Sequence, residues 1–266
     1  MTLPRISLLI STYERPDALA TVLRSVARQT LKPHQVVVGD DGSGPETAKV
    51  VRDAAQSMNV IHRWLPHEGF QLARMRNYAA AVATGDYLVI IDDDILLHPE
   101  FIADHAAAAR EGFFAQGSRA LLGEKASAEA LAADKYWPAF ATPAVGNRKN
   151  LIRSPFLSRL FAGAVEGLRG IRTCNFALWR RDYERVNGFN EDFTGWGRED
   201  SEFCSRLFKS GVRRRNLRFA ALACHLHHPP RSREGLDKND ALLAESIARD
   251  GFRCERGLNQ HTSARS

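Results

Sequence analysis

The sequence predicts an α/β protein built on a mostly parallel sheet, and three observations carry that prediction. Short apolar runs rich in Val, Ile and Leu alternate with helical segments through the first half of the chain, the pattern of right-handed βαβ units. The runs show no polar–apolar alternation, so they read as strands buried on both faces. Polar residues gather where the runs end, the carboxyl edge at which open α/β sheets bind ligands.

Arg5–Ile10 forms the first strand, and Ser11–Pro16 is a polar turn whose proline suits the start of a helix. That helix carries Leu19, Val22, Leu23 and Val26 at helical spacing. Gln35–Gly39 is the second strand and ends in Asp40-Asp41-Gly42-Ser43. A helix over 45–57, a strand over 59–65, a loop to Phe70 and a helix over 71–83 follow. Tyr87–Ile91 is the fourth strand and runs into Asp92-Asp93-Asp94. Phe101–Arg110 reads as helix, Phe113–Leu122 as one further strand, and the alanine-rich 125–134 as helix. Thr173–Trp179 is another strand, 181–186 a short helix, and the helix after Gly195-Trp196-Gly197-Arg198-Glu199-Asp200 puts Phe203, Leu207 and Phe208 on one face.

The chain has 266 residues and a formal net charge of +6, which points to an anionic partner such as a nucleotide or an acidic lipid surface. No aromatic-interleaved basic stripe marks a nucleic-acid binder. The four cysteines, Cys174, Cys204, Cys224 and Cys254, form no CxxC pair and read as reduced thiols. No apolar run is long enough to span a bilayer, and the N-terminus shows no signal-peptide pattern. The expectation is a cytoplasmic protein. Arg148–Arg172 is different in character: six basic residues stand against Glu166 alone, and Leu157, Leu160, Phe161, Ala164, Val165 and Leu168 follow helical spacing. Such a segment either lies on an anionic membrane surface, which would place the protein at the inner face of the cell membrane, or packs on the domain with a solvated basic edge.

The acid triplet is the strongest chemical signal. Adjacent carboxylates at a buried strand end repel and lose hydration, and a divalent cation is the simplest compensation. Asp92 and Asp94 point to one side of an extended chain and Asp93 to the other, so two carboxylates can share one ion and the phosphates it carries. The competing reading is an acidic loop capping a helix near Ile95–Phe101. In Gly195-Trp196-Gly197 the glycines permit close approach to the backbone, and the indole offers a sugar ring a flat apolar face. Glu199 and Asp200 open a helix, where the dipole favours negative charge; simple capping explains the acids but not the Gly-Trp-Gly. His225, His227 and His228 end an apolar run with spacing that permits metal ligation or an ordinary strand end. No GxGxxG or GxxxxGK[ST] is present, which leaves acidic residues and a metal to hold a nucleotide.

Taken together, these motifs resemble those of family 2 glycosyltransferases of the GT-A fold, over roughly residues 4–230. The opening Ser7–Tyr13 with Arg15-Pro16, Val38–Ser43, Gly69–Asn77, Ile91–Asp94, Asn187–Glu191 and Gly195–Asp200 stand in that family's order. The last resembles the GWGxED form of galactosyl- and N-acetylgalactosaminyltransferase-type domains. The resemblance implies a Rossmann-like, mostly parallel sheet flanked by helices, with a C-terminal acceptor-side subregion. One domain would span 1–255, with a nucleotide-sugar half over 1–122 and an acceptor half over 123–255, followed by a flexible tail over 256–266. The donor site would draw on Thr12 and Tyr13 at the base, Asp41 at the nucleoside, Arg76 near the diphosphate or the carboxylates, Asp92 on the ribose side, Asn175 near the sugar, and also on Asp93 and Trp196. Asp94 and His225, with His228 as the competing ligand, would hold Mn2+ or Mg2+. Asp200 would be the general base, with Glu199 beside it.

The implied reaction is inverting transfer of a hexose or N-acetylhexosamine from a nucleotide sugar, UDP-linked by the GWGxED resemblance, to a glycan or lipid-linked glycan hydroxyl. It fits surface-polysaccharide or lipopolysaccharide synthesis. Two other readings compete. A sugar nucleotidyltransferase needs a basic glycine-rich loop after the first strand, and Ser11–Pro16 contains no glycine. A non-catalytic nucleotide-sugar or glycan-binding module would be expected to lack Asp94, Asp200 or His225, and all are present.

Overall fold

In the computed structural model, which describes residues 3–133, 136–229 and 235–262, the first half follows the expected alternation. Strands β1 (Ile6–Thr12), β2 (Gln35–Asp40), β3 (Val60–Trp64) and β4 (Tyr87–Asp92) are linked by α1 (Pro16–Ala27), α2 (Pro45–Ala55) and α3 (Leu72–Ala80). Proline begins both α1 and α2, where its missing N–H leaves no bond unmade. β1 lies between β2 and β4, parallel to both, and β3 continues the parallel set beyond β2. Every residue of β1 and β2 is buried, as strands covered on both faces require.

The chain continues through β5 (Ile95–Leu97), α4 (Phe101–Ala108), β6 (Phe113–Gln116), β7 (Ala120–Leu122), α5 (Glu124–Ala132), β8 (Val145–Gly146), α6 (Pro155–Leu160) and β9 (Ala164–Val165). It ends with β10 (Asn175–Trp179), α7 (Arg180–Arg185), α8 (Glu199–Lys209), β11 (Arg213–Asn216), β12 (Ala223–His225), α9 (Leu236–Ala248) and α10 (Asn259–Thr262). The main sheet orders its eight strands β3-β2-β1-β4-β10-β6-β11-β9. Its second half is mixed: β10 is antiparallel to β4 and β6, β11 is parallel to β6, and β9 is antiparallel to β11. A second sheet, β5-β12-β7-β8, returns the chain to the acid triplet. There His225 pairs with Ile95, and the Leu226 N–H donates to the Asp94 carbonyl at 2.9 Å.

Helices cover both faces of the main sheet. Leu8, Ile10, Val36 and Val89 pack with Leu19, Val22 and Val26 of α1 and with Phe101 and Ile102 of α4. Leu9, Val37, Leu88 and Ile90 pack with Ala73 of α3 and with Phe203 and Leu207 of α8. Each fully buried Leu, Ile or Phe contributes about 1.5–3 kcal/mol, so this interior fixes the strand ends that carry the site.

The structure departs from the sequence expectation in four places. The stretch over 113–122 is two strands in different sheets. The break falls at Gly117, whose N–H donates to the Asn175 carbonyl at 2.8 Å, and a Cβ there would sit 2.2 Å from the Asn175 side chain. Ile95–Leu97 is strand rather than helix. The basic segment forms no continuous amphipathic helix: α6 has six residues, and Ala164-Val165 pairs with β11. Gly163 follows α6, and Gly167 and Gly170 take positive φ of +83° and +71°, so the chain bends where the apolar spacing alone would extend a helix. Residues 256–262, expected as a loose tail, dock on the domain: Leu258 is buried, and Asn259 bonds Asn187 at 2.7 Å and 2.9 Å. Residues 263–266 of that tail lie outside the described residues, as do Asp134 of the expected 125–134 helix and Pro230.

Candidate active site

A cleft of about 650 Å³ opens at the carboxyl ends of β1, β2 and β4. It gathers almost all the residues expected from sequence: Thr12, Tyr13, Asp41, Arg76, the triplet Asp92–Asp94, Trp196, Glu199, Asp200, His225 and His228 all line it. Asn175 is the exception. It is 1% exposed; its amide donates to the Ser118 and Ala221 carbonyls at 3.0 and 2.9 Å, and its oxygen meets His105 Nε2 at 3.0 Å. It pins β10 to its neighbours and does not reach the cleft.

The residues expected at the nucleoside lie at the ends of β1 and β2. Tyr13 stacks on His67, ring centroids 4.2 Å apart and planes 13° from parallel. His67 approaches Asp41 Oδ2 at 3.1 Å. Burial raises the Asp41 carboxyl above its usual range, and His67 partly offsets this. Asp40 faces inward, held by the Ser43 N–H and by His62 at 2.8 Å each.

The triplet divides as an extended chain dictates. Asp93 turns toward β1 and accepts from Thr12 Oγ1 at 2.6 Å. Burial and then Asp94 push its carboxyl up to about 7. Asp94 meets Arg15 at 2.9 Å, His228 Nε2 at 3.3 Å and His225 Nε2 at 3.5 Å. Burial would raise this carboxyl; the hydrogen bond to His228, then the fields of His225 and Arg15, bring it below the usual range instead. Burial holds the His225 imidazole down to about 4, so this ring is neutral, the form that binds metal. One ligand atom each from Asp94, His225 and His228 lies within 4.8 Å of the others. Asp94 Oδ1 is buried with no hydrogen-bond partner, an acceptor a divalent cation would satisfy. The donor set of one carboxylate and two imidazoles fits such an ion.

Arg76 joins the first acid of the triplet to α8. It is 2% exposed, bonds Asp92 at 3.1 Å and Asp200 at 2.9 Å, and lies over the Phe189 ring at 5.0 Å. Burial works against its charge, but Asp200 and Asp92 outweigh it and hold the guanidinium protonated. The next residue, Asn77, points the other way. It accepts from Tyr183 and the Phe189 N–H and donates to the Phe189 carbonyl and Glu191, all within 2.7–2.9 Å. Gly188 is required there: its φ is +66°, and a Cβ would lie 2.2 Å from Asn77 Oδ1. So Arg76-Asn77 and Asn187–Glu191, distant in sequence, form one structural unit under the site.

Asp200 has a further partner that sequence reasoning missed. Thr173 donates its N–H to Asp200 Oδ2 at 3.0 Å and its hydroxyl to Oδ1. Three hydrogen bonds thus orient the carboxylate, while Oδ2 keeps a lone pair with no bond among the described residues. Glu199 differs: burial and then Asp200 push it up to about 7, and its Oε2 is buried and unpartnered. Trp196, 40% exposed, sits on a backbone turned by positive φ at Gly195, Gly197 and Arg198, with the Gly195 N–H held by the Phe70 carbonyl at 2.9 Å. Arg119 and Thr173 carried no sequence signal beyond their type; the fold brings Arg119 to the cleft and Thr173 to Asp200, and it sets Arg15 of the opening motif against Asp94.

The model of glycosyl transferase family 2 matches residues 7–164, and that of the galactosyltransferase N-terminal domain matches residues 163–229. The chain belongs to glycosyl transferase family 2. Within this family it is 31% identical over 235 residues to a validoxylamine A glucosyltransferase of Streptomyces hygroscopicus subsp. limoneus, covering 79% of this chain and 49% of that protein. It is 26% identical over 253 residues to a chondroitin synthase of Escherichia coli, covering 86% and 36%. The chain spans about half the length of the validoxylamine A glucosyltransferases it matches. The family fold is that of Staphylococcus aureus TarS residues 1–349, with TM-score 0.65, 17% identity and coverage of 97% and 68%. It is also that of the Pyrobaculum calidifontis mannosyltransferase PcManGT solved with GDP-Man and Mn2+, with TM-score 0.58, 18% identity and coverage of 93% and 64%.

Proposed function

We propose that this chain is an inverting, metal-dependent glycosyltransferase that moves a hexose or N-acetylhexosamine from a UDP-sugar to a hydroxyl of a glycan acceptor, in surface-polysaccharide synthesis. The observation that carries the reading is a division of labour within one cleft. Asp94, His225 and His228 cluster at the strand ends, and Asp200 stands apart from them on α8, beyond Arg76. The names of the related proteins point the same way: a glucosyltransferase, a chondroitin synthase, and TarS solved with UDP-GlcNAc.

Tyr13, His67 and Asp41 hold the nucleoside, and Trp196 covers the sugar. A divalent ion bound by Asp94, His225 and His228 would stabilise negative charge on the departing diphosphate, and the Mn2+ complex of PcManGT is in keeping with this. The acceptor oxygen attacks the anomeric carbon from the face opposite the leaving group. Its proton passes to Asp200 Oδ2, the bond between the anomeric carbon and the phosphate oxygen breaks, and UDP leaves with the electron pair. One base and one displacement give inversion. Glu199 keeps its proton near neutrality, which suits it to donate a hydrogen bond to a sugar oxygen.

The test is release of UDP or GDP from UDP-Glc, UDP-Gal, UDP-GlcNAc, UDP-GalNAc and GDP-Man, with Mn2+ or with chelator. Metal-dependent release from a UDP-sugar, lost in Asp94→Ala, is expected. Silence across the panel, together with no donor binding by calorimetry, would favour a non-catalytic binding module.

A further inference from the structure

The basic segment keeps a set of apolar side chains in water on an element that is firmly anchored. α6 buries none of its residues: Phe156 is 76% exposed, Leu160 68% and the following Phe161 48%. Phe156, Arg159 and Leu160 stand at i, i+3 and i+4, so they share one helix face. The anchoring comes from the flanks. Arg153 grips Asp104 of α4 through two nitrogens, at 2.6 and 3.0 Å. Ser154 caps α6 through its side chain and donates its N–H to the Phe219 carbonyl at 2.9 Å. The Phe161 ring packs near Phe219, and Arg215 holds the Ala162 carbonyl at 3.1 Å. The apolar face is therefore held outward by design of its surroundings, not left out by a loose loop.

The segment that carries it is strongly basic. Arg148, Lys149, Arg159 and Arg169 are exposed, and none forms an ion pair with a described residue; Arg172, at the end of the segment, lines the cleft instead. Arg153, the sixth cation of the segment, is committed to Asp104 and Glu100. Apolar side chains next to unpaired cations match the depth profile of an anionic bilayer, acyl chains below and phosphates above. A polyanionic glycan would leave Phe156 and Leu160 in water, and an acidic protein surface would leave the apolar area without a match.

Topology orients this face. β4 and β6 point the same way, because β10 is antiparallel to both, and β11 is parallel to β6. β9 begins at Ala164, opposite Arg215 near the end of β11. α6 therefore lies at the carboxyl edge of the sheet, the edge that holds Asp92 and the cleft.

We infer that α6 and the cations around it form a docking face for an anionic lipid bilayer, which sets the cleft at the membrane surface where a lipid-borne acceptor would be presented. The docking face stands on its own observations; the acceptor clause rests on the proposed transferase activity.

The two are separated by measuring co-sedimentation with phosphatidylcholine vesicles, with and without phosphatidylglycerol, and donor turnover without vesicles. Binding is expected only to the anionic vesicles and should fall with salt. Arg148→Gln with Lys149→Gln and Arg159→Gln should weaken it roughly a hundredfold, each cation near the surface contributing about fivefold. Phe156→Ser with Leu160→Ser should weaken it about tenfold or more. All these side chains are exposed, so both variants should melt and turn over donor as the wild type does. Equal sedimentation with both vesicle types, unchanged binding by the variants, or a dimer in solution that Phe156→Ser dissociates would overturn the inference. Vesicle binding without any donor turnover would leave the docking face standing and sink the transferase reading alone.

Discussion

Removing Arg76 should separate structural electrostatics from chemistry. The guanidinium is 2% exposed and joins Asp92 and Asp200 at 3.1 and 2.9 Å. Arg76→Met keeps much of the stem that lies over Phe189 but leaves two carboxylates facing each other without a cation. Breaking a buried pair on one side costs about 3–5 kcal/mol, a large part of a typical domain's stability. The loss depends on pH in a definite direction. Burial already raises Asp92, and without Arg76, whose charge opposes that rise, it goes further. A folded state with raised carboxyl pKa values holds protons that the unfolded chain releases, so stability falls as pH rises above about 4. Arg76→Met should therefore be more destabilised at pH 8 than at pH 5. Urea melts of wild type, Arg76→Met, Asp200→Asn and the double variant close a cycle whose coupling should be about 1.5–3 kcal/mol, the range for hydrogen bonds to charged groups. A coupling below about 0.5 kcal/mol, within ordinary additivity error, or a pH-independent loss, would refute the strut assignment.

Three further outcomes follow from the same geometry. Glu199 is pushed up from 4.5 to about 7, so ionising it costs the fold up to about 3 kcal/mol above pH 7 and nothing below pH 4.5; Glu199→Gln should stabilise at pH 8 and not at pH 4.5 in urea melts, and equal effects at both would be against it. Thr173→Val removes the hydroxyl on Asp200 but keeps the N–H, so turnover should drop roughly tenfold at unchanged KM, with recovery in Thr173→Ser; a change in KM alone would argue for a binding role. Mn2+ should raise the melting temperature of the wild type, and His225→Ala and His228→Ala should each weaken that metal by at least the tenfold or so seen for outer-shell partners; an unaffected variant would identify the histidine that is not a ligand.

Much of this site was legible because its chemistry sits at strand ends, and strand ends are what periodicity reads best. The run before Asp92, the short strand before Asp40 and the turn after Ile10 all fell where local pattern placed them. What was not legible depends on contacts between distant segments. Thr173 reaches Asp200 because β10 inserts antiparallel beside β4, a pairing that no local signal encodes. Asn175 looked like a site residue by position, yet His105 and two carbonyls claim its amide. The basic segment carried a helical apolar spacing, but Gly163, Gly167 and Gly170 cut it into short pieces. There the glycines outweigh the apolar spacing, because positive φ at Gly167 and Gly170 turns the chain out of a helix.

The cleft handles its carboxylates in two different ways, and the difference indicates where a cation belongs. Asp92 and Asp200 are neutralised from within by Arg76, a permanent cation fixed by its own burial. The far end of the triplet has no such strut. Asp93 is pushed up toward neutrality, the nearest guanidinium, Arg15, reaches a single oxygen of Asp94, and the other oxygen is left buried and bare. Two imidazoles face that carboxylate, and the His225 ring, held down to about 4, stays neutral across the physiological range. A neutral ring supplies a lone pair rather than a charge. The Asp200 end is therefore neutralised as the chain folds, whereas Asp94, His225 and His228 form a donor set that a divalent cation would fit. On the proposed roles, an ion and a diphosphate would assemble at Asp94, apart from Asp200 on α8.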